Sequence, residues 1–263
     1  MLTEVKNNIK IMFLSFKYNM MKEMENKAAF ITSILMMIFN NATFIIQWIT
    51  IFTLKDYIGS YNLNDVMLFW AVSSGSYGLA HMLFHGAWKI PEYIEYGKLD
   101  SFLVSPKNVL CYVITSSSSP SAIGDLLYGY IALIIFNFSI KNILIYTILI
   151  ILACLIYTAH SVIVRSIIFR FTKSNGFEDT IDSIILNGSL YPDVIFNRAI
   201  KIIFMTLIPC ALASWLPVSI ILDFSILKVL LLVLATIFYT SLAFIMFNRG
   251  LKHYSSSNLI AFK

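Results

Sequence analysis

Two histidines one helical turn apart are the residues whose spacing points most directly to chemistry. His81 and His85 stand at positions i and i+4, which on a helix brings two imidazoles onto one face and within reach of a single metal ion. The sequence supplies neither the glutamate of an H-E-x-x-H motif nor a third ligand close by. A membrane enzyme would need a convergent nucleophile, base or metal set. Its only candidates, these histidines and Asp100, lack the further residues that would define such a geometry. We therefore predict no metal site and no catalytic residue in this chain.

Nucleotide binding is not indicated by the sequence either. No G-x-x-x-x-G-K-[ST] loop occurs in it, so the chain cannot hold a nucleotide phosphate by that loop. If ATP drives this protein, a separate subunit must bind ATP and Mg²⁺. Three cysteines, Cys111, Cys154 and Cys210, lie far apart in apolar stretches without a C-x-x-C pair, which is typical of small buried side chains. We expect no cofactor in this chain.

Polar side chains recur along one face of an otherwise apolar segment. Successive members are three, four and three residues apart, so they share a helical face. They are Asn40, Thr43, Gln47 and Thr50. Such a polar stripe needs either a partner helix or an aqueous path, and we take its residues as candidates for lining a translocation path, with helix packing as the alternative.

Asp125 is the other candidate for the translocation path. A carboxylate at membrane depth is costly and usually faces a cavity or a partner. The alternative is that Asp125 lies near the outer end of its helix, already in the membrane interface.

The composition decides what kind of element positions these residues. Of 263 residues, 59% are hydrophobic and only 13% are charged, and the mean hydropathy is +0.80. A soluble domain carries about 25% charged residues, so the composition excludes an ordinary soluble globule. The net charge of +5 could indicate nucleic acid binding in a soluble protein, but here it follows from membrane topology, and no nucleic acid partner is expected.

The apolar residues gather in six runs. A hydrocarbon core of about 30 Å needs about 20 helical residues to cross it. The predicted spans are Ala28–Phe52, Met67–Phe84, Val109–Phe138, Ile143–Val164, Ile202–Trp215 and Ile226–Phe247. Gly75 and Gly78 in the second span are expected to allow close helix packing. The sequence thus predicts an all-α integral membrane protein with six transmembrane helices.

The third and fifth spans are predicted to be broken. A polar stretch from Thr115 to Ser121 cuts the third span, and Pro120 within it removes a backbone N–H. The fifth span is predicted to start after Tyr191-Pro192-Asp193 and to be interrupted by Pro209 and Pro217. An interfacial segment, Leu216–Leu222, is predicted to follow it.

The distribution of Lys and Arg predicts the orientation. Sixteen of the 19 cations fall on one side of the predicted spans. They are Lys6, Lys10, Lys17, Lys22, Lys27, Lys89, Lys98, Lys107, Arg165, Arg170, Lys173, Arg198, Lys201, Arg249, Lys252 and Lys263, whereas Lys55, Lys141 and Lys228 fall on the other side. The excess of positive charge marks the cytoplasmic side, so both termini are predicted to be cytoplasmic. The many Lys, Ile and Asn residues indicate an AT-rich bacterial genome, so the membrane is predicted to be a bacterial plasma membrane.

The chain divides into three parts. Residues 1–27 are predicted to be a cytoplasmic amphipathic segment lying in the headgroup layer, with Ile9, Met12, Phe13, Phe16 and Met20 on its apolar face; a plain extension of the first span is the alternative. Residues 28–248 form the transmembrane domain, and residues 249–263 form a cytoplasmic tail.

The cytoplasmic loop 86–108 differs from the other connections. Pro91 can open a short helix, Glu92 places an acid in its first turn, and Gly97 can end it. This helix would lie across the membrane surface and offer acids and aromatics to a partner.

At this loop the chain resembles the integral-membrane permeases of type-2 ATP-binding-cassette (ABC) transporters, in particular small six-span bacterial permeases. Their Gly-x-(Leu/Ile)-Asp-x-(Phe/Leu)-Leu-x-x-Pro segment appears here as Gly97-Lys98-Leu99-Asp100-Ser101-Phe102-Leu103-Val104-Ser105-Pro106. Further matches are Tyr191-Pro192, Ile208-Pro209, Leu216-Pro217 and the terminal Phe247-x-x-Gly250-Leu251-Lys252-x-Tyr254-x-Ser256-x-Asn258.

The resemblance implies an exporter permease that pairs with a second permease subunit, identical or homologous, and with separate cytosolic ATPase chains. It implies that the amino-terminal helix and the loop after the second span contact the ATPase, which makes Glu92, Tyr93, Glu95, Gly97 and Asp100 the candidate coupling residues. The segment Phe171 to Leu190, with Glu178, Asp179 and Asp182, would be a second contact.

Two other classes of protein remain as alternatives. Broken helices are also typical of a self-sufficient secondary transporter, although the halves of the sequence show no inverted repeat and few buried ionisable residues. A membrane enzyme is the third class. Substrate identity is not indicated by any motif.

Overall fold

The computed structural model describes residues 2–105, 108–170 and 176–254, with side chains from Lys10 onward. Over these residues the fold is helical, which satisfies backbone N–H and C=O groups within each segment. The helices are α1 Leu2–Glu23, α2 Lys27–Phe52, α3 Leu63–Phe84, α4 Ile90–Glu95, α5 Asp100–Leu103, α6 Val109–Ile114, α7 Ser121–Asn137, α8 Ile140–Arg165, α9 Phe177–Leu190, α10 Arg198–Thr206, α11 Leu216–Leu222 and α12 Ile226–Leu251. Short 3₁₀ turns cover His85–Ala87, Ser166–Arg170 and Asp193–Ile195, and a π-helical turn covers Ala211–Trp215.

Asparagine side chains define where several of these helices begin. Asn26 accepts a hydrogen bond from the Ala29 N–H at 3.1 Å, and Asn197 and Asn108 cap α10 and α6 in the same way. Asn62 and Asp65 form a reciprocal capping box at the start of α3. Each cap satisfies an N–H that has no partner inside the helix.

Within the described ranges, three helices are long and apolar enough to cross a membrane. They are α2, α12, and α8 with the turn that follows it. Their burial differs, because 67% of the apolar window of α8 is buried inside the molecule, against 22% for α12 and 6% for α2. The chain is therefore a multi-pass membrane protein in which α8 belongs to the core while α2 and α12 lie at its edges.

The centre of the core is α3, which packs closely on α7. A Cβ added to Gly78 would lie 2.7 Å from the Leu126 backbone nitrogen and 2.8 Å from the Ala122 carbonyl oxygen. Only glycine therefore permits this approach. The Ser- and Gly-rich surface of α3 faces protein rather than lipid, which is why its composition is less apolar than that of α2, α8 and α12.

The elements meet at two opposite ends of the molecule. At the first, here called the Tyr61 end, the Tyr61 hydroxyl lies 3.0 Å from an Asp193 carboxylate oxygen, and Asn137 donates to the Asn64 carbonyl at 2.8 Å. At the other, here called the Arg165 end, the guanidinium of Arg165 lies 2.6 Å from an Asp182 carboxylate oxygen. Both α3 and α8 run between these two ends.

The element that joins the two ends after α8 is α9. It begins near Asp179 and Asp182, which contact Arg165, and it leads into Tyr191 and Asp193, which contact Trp48 and Tyr61. Tyr191-Pro192-Asp193 therefore lies at the Tyr61 end. The sequence had predicted it at the start of the fifth span, on the same side as Arg165.

The predicted fifth span, Ile202–Trp215, is corrected by the same contacts. The pair formed by α10 and the segment Ala211–Leu222 is bent by 80°. Lys201 near its start pairs with Asp193 at 2.8 Å, and Phe224 after its end contacts Lys141, four residues beyond Asn137. Both ends of the bent pair therefore lie at the Tyr61 end, and the pair is re-entrant.

The break predicted in the third span corresponds to a non-helical stretch between α6 and α7. Residues 115–120 separate the two helices. Backbone groups there find partners outside their own helix, since the Ser119 N–H donates to the His81 carbonyl at 3.1 Å and the Thr115 carbonyl accepts from the Asn19 side chain at 3.0 Å.

The amino-terminal segment forms α1, with Met20 buried and Met12 and Phe16 half-buried. Phe13, expected on the same apolar face, is instead 69% exposed. The Ile9 side chain, Pro106 of the loop motif, and Ser256 and Asn258 of the terminal motif lie outside the described residues.

The re-entrant pair predicts which positions share a side of the membrane. In a cysteine-free chain (Cys111→Ala, Cys154→Ala, Cys210→Ala), Tyr57→Cys and Arg198→Cys should react with a membrane-impermeant maleimide from the same side. Lys252→Cys should react only from the opposite side, because α12 ends beside the Arg165 end, where Phe247 packs on Phe169. If Arg198→Cys and Lys252→Cys instead react from the same side, the predicted fifth span that crosses the membrane is correct.

Candidate functional site

The surface at the Arg165 end is built around α4, α5 and the turn between them. Pro91 opens α4, and Gly97 follows its last turn with a φ of +66°. This left-handed conformation favours glycine. It reverses the chain so that the Leu99 N–H donates to the Tyr93 carbonyl at 3.1 Å. Gly97, a candidate coupling residue, therefore shapes the loop through its backbone.

Glu92 and Glu95 point outward from this loop, but Glu92 has a partner across the Gly97 turn. Lys98 donates to the Glu92 carboxylate at 2.5 Å, with side-chain exposures of 53% and 41%. That hydrogen bond lowers the pKa of Glu92. An ion pair this exposed contributes about 0–1 kcal/mol, so little free energy is needed to open it.

Tyr93 lies beneath the loop rather than on its surface. It is 8% exposed, its ring packs on Phe102, and its hydroxyl lies 2.8 Å from the Ser116 hydroxyl. Burial is the main cause that raises the pKa of Tyr93. Of the candidate coupling residues, Tyr93 is therefore the one that connects the loop to the break between α6 and α7.

Asp100 begins α5 and is half-buried. It faces Tyr254 after the end of α12, where burial, followed by the nearby Asp100 carboxylate, raises the pKa of Tyr254 to about 12. This contact joins the loop to the end of α12.

Arg165 lies below this surface and is 1% exposed. Its Nη1 donates to the Ser161 hydroxyl at 2.9 Å and its Nε donates to the Trp88 carbonyl at 3.3 Å. Its Nη2 lies 2.6 Å from Asp182 and 3.3 Å from Asp179. One side chain thus connects α8, the turn after α3, and α9.

The acids of α9 are only partly available to a partner. The resemblance implied that Glu178, Asp179 and Asp182 offer a second contact. Glu178 is 4% exposed and Asp182 is 9% exposed, whereas the Asp179 side chain is 81% exposed. Asp179 alone of the three lies at the surface.

His81 and His85 do come together, with their Nδ1 atoms 2.9 Å apart. The ring of His81 packs against Tyr77 and Trp88, with centroid distances of 4.3 and 3.9 Å. No group of three possible ligands surrounds them within the part of the chain that the structure describes. The pair is thus part of an aromatic cluster at the end of α3.

The polar stripe on α2 faces away from the rest of the chain. All four of its residues, Asn40, Thr43, Gln47 and Thr50, are exposed. The hydroxyls of Thr43 and Thr50 donate to carbonyls of their own helix, at 2.7 and 2.9 Å. The amides of Asn40 and Gln47 are therefore the groups that this face presents to a partner or to water.

Asp125 is separate from the stripe. The Asn41 side chain, on the buried side of α2, donates to the Asp125 carboxylate at 2.6 Å. The Ser74 hydroxyl donates to the Asp125 backbone carbonyl at 3.1 Å. Asp125 thus connects α7 to α2 and α3, and it does not share a surface with Asn40 and Gln47.

Sequence reasoning missed the contacts made by Arg165, Asn19 and Ser116. The sequence predicts Arg165 only as one of the cytoplasmic cations, and the carboxylate of Asp182, 17 residues later, is the available signal for its partner. Asn19 and Ser116 carried no signal, because their partners are 96 and 23 residues away.

Comparison with known proteins identifies one family. The family model described as ABC-2 family transporter protein matches residues 36–258. None of the curated proteins or solved structures compared with the chain matches it.

The Arg165 contacts predict unequal roles for the two aspartates. Asp182→Asn should lower the free energy of unfolding by about 3–5 kcal/mol, because it leaves the buried guanidinium without its closest counter-charge. Asp179→Asn, at an exposed position, should change it by less than about 1 kcal/mol. Denaturant unfolding in a mild detergent measures both, and equal losses would show that Asp182 is not the main partner.

Proposed function

The chain belongs to the ABC-2 family of transporter proteins, and on that premise we propose that it is the permease subunit of an ATP-binding-cassette exporter. It forms the translocation path with a second permease subunit, identical or homologous, and it is driven by separate cytosolic ATPase chains that bind ATP and Mg²⁺. The observation that carries this proposal is the family match over residues 36–258 in a sequence that has no P-loop of its own.

We assign the six spans to α2, α3, α6 with α7, α8, α9 and α12, and we treat α10 and α11 as a re-entrant pair. At 14 residues, α9 covers about 21 Å, and the chain to Asp193 completes the crossing. Moving Arg198 and Lys201 to the Tyr61 end leaves fourteen cations of the sequence on the side of Arg165 and five on the other. The Arg165 end is therefore assigned to the cytoplasm of a bacterial cell, with both termini.

In this proposal the loop around α4 transmits closure of the ATPase. Glu92 and Glu95 form the outer, acidic surface that the ATPase contacts. Tyr93 connects that surface to Ser116, and Asn19 of α1 reaches Thr115 in the same stretch. Movement of either α4 or α1 is therefore passed to the non-helical break of the third span.

The substrate route is assigned to the surface between the two permease subunits. The exposed stripe on α2, with Asn40 and Gln47, supplies polar groups on a helix whose apolar window is only 6% buried by its own chain. A second subunit beside α2 would enclose a path that has polar groups along one wall. Asp125 acts instead in holding α2 against α7.

A self-sufficient secondary transporter is the second candidate. The observation that favours it is the bent pair of α10 and α11, since discontinuous helices often form ion and substrate sites in such transporters. The buried charges of Arg165 and Asp182 compensate one another, which favours a structural role over ion coupling.

Affinity purification from the native membrane in mild detergent tests the proposal. A P-loop ATPase should copurify, and the complex in liposomes should transport only with ATP. Recovery of this chain alone, active in liposomes without ATP, would establish the secondary transporter.

The acidic surface predicts an uncoupled variant. Glu92→Lys with Glu95→Lys should leave ATP hydrolysis in place while transport falls at least about tenfold, because reversed charge disrupts docking of the transmitting loop. Transport and phosphate release are measured in the same liposomes.

Two controls separate this effect from other causes. Lys98→Ala removes the Glu92 pair but keeps both acids, and Asp56→Lys with Asp223→Lys makes the same change of charge at the Tyr61 end. Both should remain coupled. If the Glu92→Lys, Glu95→Lys variant still couples ATP hydrolysis fully to transport, α4 does not transmit closure of the ATPase.

A further inference from the structure

A small polar cleft lies between α1, α4 and the break that separates α6 from α7. Its volume is about 240 Å³, and it is lined by lysines, two glutamates and the serines of the break. The glutamates are Glu92, already paired with Lys98, and Glu23. Lys22 and Lys89 line the same cleft. With Glu92 and Lys98 paired, these two lysines and Glu23 leave the cleft with a net charge of one positive unit. The cleft is therefore suited to an anion.

Neither Lys22 nor Lys89 forms an ion pair with another described residue. The two come from different elements, Lys22 from the end of α1 and Lys89 from the turn before α4. An ammonium group binds phosphate as a compact point charge with three donors. A single phosphate between them would therefore receive donors from both elements.

Serine hydroxyls supply the neutral part of the site. Ser118 accepts a hydrogen bond from Asn19 at 3.4 Å, which leaves its own O–H available as a donor. Ser117 beside it makes no hydrogen bond within the described ranges and also lines the cleft. Hydroxyl and ammonium donors in one cleft of this size match the acceptor oxygens of one phosphate group.

A second, larger cleft of about 640 Å³ adjoins the first, and Asn19, Tyr93 and Ser116 line both. Its other walls include apolar and aromatic side chains, among them Leu14 and Phe102. The larger cleft combines these apolar side chains with serines. A polar cleft beside one of mixed lining fits an amphipathic molecule whose phosphate and hydrocarbon are joined.

We propose that these clefts bind one anionic phospholipid, with its phosphate between Lys22 and Lys89 and the start of its hydrocarbon beside Leu14 and Phe102. The bound headgroup ties α1 to the loop around α4. The choice of a lipid over soluble phosphate rests on the proposed topology, which places this end at the cytoplasmic membrane surface, where anionic headgroups are concentrated.

Native mass spectrometry of the purified full chain in mild detergent tests this proposal without ATPase or transport, so its outcome is independent of the exporter assignment. Phosphatidylglycerol should bind more tightly than phosphatidylcholine. Lys22→Gln with Lys89→Gln should weaken phosphatidylglycerol binding about tenfold or more, since each lysine near an anionic surface contributes about fivefold to the affinity. Lys55→Gln with Lys252→Gln, which removes the same charge elsewhere, should leave the affinity unchanged.

Three results would overturn the proposal. The first is equal binding of the two lipids by the unaltered chain. The second is an undiminished phosphatidylglycerol affinity in Lys22→Gln, Lys89→Gln. The third is displacement of phosphatidylglycerol by inorganic phosphate at equal concentration, which would assign the site to a soluble anion. Lys22→Arg with Lys89→Arg is the control for misfolding. It keeps both positive charges and should keep the lipid affinity.

Discussion

The position of one buried cation determines much of this fold. A guanidinium that is 1% exposed needs a counter-charge and hydrogen-bond acceptors, because an uncompensated charge in a low-dielectric interior is strongly unfavourable. Arg165 finds them on three elements at once: Ser161 on its own helix, the Trp88 carbonyl after α3, and Asp182 on α9. The start of α9 is thereby held against the end of α8, and α9 has to run from there to the opposite end of the molecule.

Sequence reasoning succeeded where the signal was local. The membrane class, α2, α8 and α12 followed from long apolar runs, and the family followed from the motif around Gly97 and Asp100. The six-span count and the cytoplasmic position of the termini stay predictions, since composition alone supports fewer spans.

The error at the fifth span has a physical origin in two segments. The acids Glu178, Asp179 and Asp182 lower the mean hydropathy of α9. The helix tolerates them because Glu178 and Asp182 are buried in the protein. The run Ile202–Trp215 is more apolar but bends by 80° and returns to the end it came from. α9 buries Glu178, Asp182 and Ile185 inside the protein, so hydropathy alone does not single it out. Long-range contacts such as that of Asn19 with Thr115 left no trace in the local sequence, because the two residues are 96 positions apart.

The buried pair between Arg165 and Asp182 also bears on how the chain enters the membrane during synthesis. On its own, α9 is short and carries an aspartate near its middle, so it is a poor candidate for partitioning into lipid as a solitary segment. Beside α8 its charge is already neutralised. In the proposed topology the two helices are therefore suited to insertion as a hairpin, in which Arg165 neutralises Asp182. Because α10 and α11 begin and end on one side, their hairpin leaves the orientation of α12 unchanged.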